Sequence, residues 1–439
     1  MDPAADHARK CEALRAALGS AANAGGTVGL RKRTSNLFRK RDAGVNHRLD
    51  VRGLNGVLRV DRESLLAEVE GMTTYETLVA ETLHHGMLPA VVPQLKTITV
   101  GGAVSGLGIE SSSFRHGLVH ETVEEMDVLA GDGRIVTCSR CRHRDLFFGF
   151  PNSYGTLGYA LRLAVRLVPA RRYVHVTHTR FADPVRYFEC IGEACSSEDH
   201  DYLDGTVFGA SEMYLTAGDA CDPAPFTNDY TYLGIYYRSI QRNREDWLTA
   251  AGYIWRWDTD WFWCSKQFHL QNPAIRWLAK PLLRSSVYQR AMRLGHTLRP
   301  RTEGVESVIQ DVDIPIGSAP DFLDFLLHEI RITPVWVCPF RVCERDTPYD
   351  LYPLEPGKLY INFGFWDVVR TNREDGYLNR KVERKAAELR GRKGLYSTSY
   401  YDRDTFRELY NGARYDELKA KYDPAGMFPG LYEKCVGRR

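Results

Sequence analysis

The chain has 439 residues, 44% of them hydrophobic and 26% charged, which excludes a disordered tail or a single small module and leads to an expectation of two domains. Its 58 lysines and arginines against 56 aspartates and glutamates leave a formal net charge of +2, too little for wholesale nucleic-acid binding. Ten cysteines are scattered from Cys11 to Cys435, which favours a reducing, cytoplasmic setting, and no apolar run reaches the roughly 18 residues of a membrane span.

The first residues, MDPAADHARK, carry charges where a signal peptide needs an apolar core, and residues 16–26 form an Ala/Gly-rich tract. GVLRVD, around residues 57–60, reads as a short strand. Thr73 and Glu76 then have the spacing of a capping box, and Tyr75, Leu78, Val79 and Leu83 fall on one helical face ended by Gly86. Residues 99–117 hold five glycines: Gly101, Gly102, Gly106, Gly108 and Gly117. Without Cβ atoms, successive amides in turn conformations form a nest for phosphate oxygens, and Ser105, Ser111, Ser112 and Ser113 add hydroxyls beside them. The spacing differs from the G-x-G-x-x-G of a dinucleotide turn, and SSSFRHG does not read as a helix. A glycine-rich sheet corner is the competing reading.

Asp132-Gly133 lies between two strand-like runs and suits a tight hairpin. Residues 155–169 alternate apolar positions with Arg162 and Arg166 and end at Pro169. Up to this point the pattern is one of strands and turns with few helices. Beyond residue 170 the texture shifts to Trp, Tyr and acidic loops, with amphipathic stretches at 321–330 and 380–390, the second read as an exposed helix, and a helix at 413–422.

The order of motifs carries more than any one of them. TVGGAVSGLGIESSSFRHGL at 99–118, DLFFGFPNSYGTLGYALRLAVRLVPA at 145–170, VWVCPF at 335–340, KLYINFG at 358–364 and AGMFPGLYEKC at 425–435 together resemble the PCMH-type FAD-binding domain of the vanillyl-alcohol oxidase superfamily. Within it they are most similar to the Δ24-sterol reductases, the Diminuto and seladin group. The resemblance implies an α+β fold: a two-part FAD-binding domain at 1–170, an α+β substrate or cap domain at 171–410, and a segment at 411–439 that covers the pocket or returns to the first domain.

It also implies site residues. Thr99, Val100, Gly101, Gly102, Ala103, Val104, Ser105, Gly106, Leu107, Gly108, Ile109, Glu110, Ser111 and Ser112 would hold FAD together with Gly117, and Thr34, Ser35 and Asn36 would form an earlier pyrophosphate loop. Gly155, Thr156 and Gly158 would line the flavin from the other side. Superfamily members that bind flavin covalently often use a histidine in the early loop. RKRTSNLFRK has none and His47 lies beyond it, so FAD is expected to be non-covalent, with NADPH as transient donor. The eukaryotic relatives carry an amino-terminal membrane segment, whereas about 30 polar or Ala/Gly residues precede the matching region here. The shortened form resembles a bacterial one.

Reduction of an isolated C=C bond needs hydride at one carbon and a proton at the other. His116, inside the glycine segment, is read either as that acid or as a structural hydrogen-bond partner. Glu110 is either tied to backbone amides or used to orient a cofactor. Trp255, Trp257, Trp261 and Trp263, with Phe262, Arg256, Asp258 and Asp260 between them, are read either as core or as the wall of a substrate pocket. By resemblance Tyr360 and Asn362 face the flavin, with Tyr360 and Asp258 added to His116 as catalytic candidates. Arg31-Lys32-Arg33 and Arg39-Lys40-Arg41 are a solvated face or an attractor of phosphates or an anionic bilayer. Cys138 and Cys141 have C-x-x-C spacing without a second ligand pair, so no metal is expected. The expected partners are a lipid substrate, a membrane surface touched peripherally and a lipid-modifying enzyme, with no nucleic acid. An alcohol or sugar oxidase of the same fold and a non-catalytic flavin scaffold are the rival functions.

Overall fold

Asp2 accepts from the Ala4 amide and Pro3 occupies the first turn, so the chain opens as a 22-residue helix, α1 (Pro3–Ala24). The reading of this region as a polar Ala/Gly tract misses it. Cys11, Leu14, Leu18 and Ala21 recur at three- and four-residue intervals and form one buried stripe, which packs on the parallel pair β1 (Val28–Arg31) and β2 (His47–Asp50). The structure is a computed structural model that describes residues 2–33, 38, 39, 45–279, 283, 287 and 304–436. Thr34, Ser35 and Asn36 lie outside the described residues.

The first large sheet is antiparallel and runs in the order β3 (Val57–Asp61), β4 (Leu66–Glu70), β8 (Tyr159–Pro169), β6 (Val123–Leu129), β7 (Ile135–Ser139), with β5 (Met87–Pro89) paired to β8. Gly133 takes φ +83° in the hairpin joining β6 to β7, as Asp132-Gly133 predicts. The helix α2 (Tyr75–His84) is capped one residue later than the T-x-x-E spacing predicts. Thr74 accepts from the Thr77 amide at 3.2 Å, while the Thr73 hydroxyl donates to the Gly56 carbonyl. Where strand and turn are predicted, the glycine segment instead forms two short helices, α3 (Val100–Gly106) and α4 (Ser113–His116), the second built from SSSFRHG.

The chain then crosses into an eight-stranded antiparallel sheet, in the order β12 (Glu245–Thr249), β9 (Tyr173–Phe181), β11 (Glu212–Cys221), β10 (Tyr202–Gly209), β14 (Val335–Arg341), β15 (Leu359–Arg370), β13 (Val305–Pro315), β16 (Arg392–Lys393). Alternation sorts its two faces. Leu203, Val207, Val308, Val312, Val335, Val337, Phe363 and Phe365 pack beneath the helices Pro184–Ser197, Ala319–Phe325 and Tyr377–Glu388. The other face carries Asp204, Trp336, Asn362, Trp366, Asp311 and Asp313 in register and meets the aromatic segment. The charged stretch at 380–390 is therefore not an exposed helix. It belongs to Tyr377–Glu388, whose Leu378, Val382 and Ala386 are buried and whose Glu383 pairs with buried Lys393 at 3.3 Å.

The helix Gly412–Tyr422 agrees with the predicted 413–422. Its Lys419 Nζ donates to the Thr156 carbonyl at 2.7 Å, and Phe428 packs on Tyr159, so the end of the chain lies against the first sheet. Among the described residues no helix is long and apolar enough to cross a membrane.

Candidate functional site

A cavity of about 610 Å³ lies between the glycine segment and the polar face of the eight-stranded sheet, within the size range of small-molecule sites. One wall is Thr99, Gly101, Gly102, Ala103, Ser105, Gly106, Leu107, Gly108 and Ile109, continued by Gly155 and Gly158. The facing wall is aromatic: Trp261, Phe262, Trp336 and Trp366. Among the described residues, Arg31, Lys32, Arg39, Arg48 and Lys434 add five cations to the lining, against one carboxyl, Asp311.

The glycines work differently from the predicted amide nest. The Gly101 amide is accepted by the Gly71 carbonyl at 3.0 Å, that of Gly102 by the Thr99 hydroxyl at 3.3 Å and that of Ala103 by the Thr99 carbonyl at 2.8 Å. These donors are occupied within the chain. What the glycines supply is close approach: a Cβ on Gly101 would stand 2.6 Å from the Gly71 oxygen, and one on Gly106 3.1 Å from the Tyr154 ring. Val100 and Val104 are core residues behind this wall.

Past Gly108 and Ile109, the rest of the GIESSS extension, residues 110–113, joins the two sheets rather than lining the cavity. Ser111 Oγ pairs with the Tyr253 hydroxyl at 3.0 Å, Ser112 Oγ donates to the Ala90 carbonyl at 2.8 Å, and Ser113 Oγ accepts from the Glu110 amide. Glu110 meets buried Arg256 at 3.2 Å, and the same guanidinium reaches Asp204 at 2.8 Å, whose carboxylate also accepts from the Trp336 indole at 3.1 Å. Burial pushes the Glu110 carboxyl up to about 7 although Arg256 opposes the shift. Gly117 at φ +77° fits beside the Glu121 carboxylate. Gly155 and Gly158 hold φ +73° and +150° at the start of β8, and the Thr156 hydroxyl donates to the Ser153 carbonyl. Glu110, Ser111, Ser112, Gly117 and Thr156 thus support the cavity from outside its lining.

The residues present fit FAD. Arg39 Nη2 and Gln94 Nε2 belong to buried side chains of the lining and have no acceptor among the described residues, a costly state for donors unless a ligand oxygen meets them. Arg39 is fixed by its other nitrogens on the Leu395 and Lys434 carbonyls and by the Tyr154 ring, 5.1 Å from its guanidinium carbon. The five cations suit a pyrophosphate. No histidine is among the described lining residues, and His47 is engaged with the Gly25 carbonyl at 2.9 Å.

Of the four predicted tryptophans, the structure puts Trp261 on the cavity. Trp261, Phe262 and Trp263 have φ of +46°, +51° and +60°, a left-handed turn that side chains other than glycine rarely adopt, and it turns Trp261 and Phe262 inward. Trp257 stacks on Phe262 at 4.8 Å, Trp263 meets Trp366 at 5.6 Å, and Trp255 lies under Lys96. These three are packing behind the wall, as the core reading holds.

The three catalytic candidates lie off the cavity. Asp258 accepts from the Lys96 amide at 2.9 Å. The Tyr360 hydroxyl accepts from the Glu355 amide at 3.1 Å, with its ring stacked on Phe340. His116 is pushed down to about 4 by burial and by Arg166 and Arg115, so it is neutral at physiological pH and unsuited to donate a proton. Asn362 donates to Asp313 at 2.7 Å, two residues along the strand from the cavity.

Sequence reasoning missed Arg39 as a single residue, Gln94, Trp336, Trp366, Tyr396 and Asp311. The signal for Asp311 was present: Asp311 and Asp313 alternate with Val312 and Ile314 in β13, which puts two carboxyls on one face. Burial and the neighbouring Asp313 push Asp311 up to about 8, while a hydrogen bond from Tyr396 opposes them.

Residues 4–139 match the family model described as FAD binding domain. The chain is similar to the Delta(24)-sterol reductase of Homo sapiens, 28% identical over 415 residues that cover 88% of this chain and 77% of the relative. It is also similar to the Delta(24)-sterol reductase of Arabidopsis thaliana, 24% identical with coverage of 88% and 76%. Cytokinin dehydrogenase 7 of Oryza sativa subsp. japonica is 33% identical over 175 residues, 39% of this chain and 33% of that protein.

Proposed function

We propose that this chain, an FAD-dependent oxidoreductase similar along most of its length to Delta(24)-sterol reductases, reduces a carbon–carbon double bond of a lipid with electrons from NADPH. The substrate is a sterol side chain or a methylene-branched fatty acyl group. One observation carries this reading: the cavity joins the buried donors of Arg39 and Gln94, which have no acceptor among the described residues, and the cations of its lining to an aromatic wall of Trp261, Phe262, Trp336 and Trp366. The first half suits a dinucleotide and the second a large apolar ligand.

FAD, held without a covalent bond, supplies two-electron hydride chemistry when bound. Arg39 and Gln94 orient it by donating to its oxygens, and the basic lining holds its phosphates. The aromatic wall excludes water from the lipid. Its ring faces stabilise positive charge developing on the alkene, each by about 1 kcal/mol. The lipid is presented from a membrane surface that the protein touches peripherally, or by a partner that modifies the same lipid, and the working compartment is the cytoplasm.

The test is spectroscopic. Purified protein should be yellow, release FAD on acid denaturation, and bleach with NADPH in the absence of oxygen. Bleaching by an alcohol alone would make it an oxidase, and colourless protein that FAD fails to reconstitute would remove the flavin reading.

A further inference from the structure

Binding and shielding leave one cavity group without a task, the carboxyl of Asp311. It stands on β13 and lines the cavity beside Trp366 and Tyr396. Its Oδ1 is buried and has no hydrogen-bond partner among the described residues. Asp313 lies on the same face of the strand, with one oxygen accepting from the Tyr352 hydroxyl and the other from Asn362 Nδ2, each at 2.7 Å. Two carboxyls in apolar surroundings do not both ionise readily. The hydrogen-bonded Asp313 takes the charge and Asp311 keeps its proton, the two being pushed up to about 6 and about 8. From the segment after β16, the Tyr396 hydroxyl accepts from the Trp366 indole at 2.9 Å, and Tyr396 acts to lower the Asp311 carboxyl against the push of burial. From the loop before β8, Tyr154 lines the same cavity, with Arg39 over its ring.

We propose that Asp311 is the proton donor of the lipid reduction, an assignment that rests on the reductase reading above. With hydride and its electron pair arriving at one alkene carbon from a reduced flavin, the Asp311 O–H bond breaks and a C–H bond forms at the other carbon. The alkene gains two electrons, the flavin loses two, and the carboxylate regains its proton from solvent. Tyr396 is a positioning residue that holds the carboxyl toward the cavity.

The test compares flavin-loaded wild type with Asp311→Asn, Asp313→Asn and Tyr396→Phe, using a side-chain-unsaturated sterol and a methylene-branched phospholipid as the two probes. NADPH should still bleach the Asp311→Asn flavin, while reoxidation by the accepted lipid slows about 100-fold or more. Wild-type reoxidation should fall as pH rises through about 8. That limb should vanish in Asp311→Asn and move to higher pH in Tyr396→Phe, because the lost hydrogen bond had held the carboxyl down. At pH 7 the infrared spectrum should contain a protonated-carboxyl stretch that is absent from Asp311→Asn and retained in Asp313→Asn. Wild-type reoxidation by Asp311→Asn, an unmoved limb in Tyr396→Phe, or absence of the stretch overturns the assignment and leaves the reductase reading standing. A wild-type flavin that NADPH does not bleach, or that neither lipid reoxidises, overturns the reductase reading and the assignment with it.

Discussion

Arg256 shows how much one side chain decides here. It is fully buried between Glu110, Asp204 and the Tyr253 carbonyl, with its guanidinium carbon 3.9 Å from the Tyr253 ring centroid. Replacing it by Met leaves two carboxyls facing one another without a cation, and stability should fall by about 3–5 kcal/mol in urea unfolding. Loss of less than about 1 kcal/mol would show that the ion pairs do not hold the sheets together. His120 makes a second residue-scale prediction. It is buried against the Tyr349 ring at 4.2 Å, and burial with Arg140 nearby pushes it down to about 3. The unfolded chain takes up a proton near pH 6.5 that the native chain refuses, so this contribution to stability is full above pH 6.5 and is lost as pH falls toward 3. From His120 alone the slope is up to about 1.4 kcal/mol per pH unit, and His120→Gln should flatten the acid side of the stability profile. An unchanged slope would contradict it. The sequence made Glu110 and Arg256 visible as charges in apolar surroundings, but not as partners, because 146 residues separate them.

At the scale of elements, legibility followed periodicity. The strands around 57–60 and 155–169 and the helix at 413–422 have regular apolar spacing, and the structure contains them. Helix α1 escaped because its stripe is one Cys, two Leu and one Ala among charged neighbours. Its attachment is polar as well. Buried Glu70 on β4 accepts from Lys10 at 3.0 Å, His7 at 3.0 Å and the Gly56 amide at 2.8 Å. Glu70→Gln should therefore weaken α1 by about 1–3 kcal/mol and make it the first site of limited proteolysis. Cleavage no faster than in the wild type would contradict this. The left-handed turn of residues 261–263 was illegible for another reason: positive φ at three successive aromatic residues runs against every local preference. The surrounding packing, with Trp257, Trp336 and Trp366 against Phe262, selects it.

Over the whole molecule, the cavity belongs to neither sheet alone. Residues 28–161 provide its glycine wall and most of its cations, while residues 261–434 provide its aromatic wall and Asp311. The glycine segment in the sequence pointed to the first half, since a backbone cradle leaves a glycine signature. The second half is assembled from single residues on β13, β14, β15 and the loops beside them, and only the sheet order brings those together. The proposed function turns on the direction of electron flow through this joint site, from a nicotinamide to a lipid alkene. The most direct measurement is anaerobic stopped-flow absorbance of NADPH-reduced protein mixed with the unsaturated sterol or the methylene-branched phospholipid. The oxidised flavin spectrum should return together with one equivalent of saturated lipid. Reoxidation by oxygen or a quinone but by neither lipid, in protein that an alcohol reduces, would contradict it.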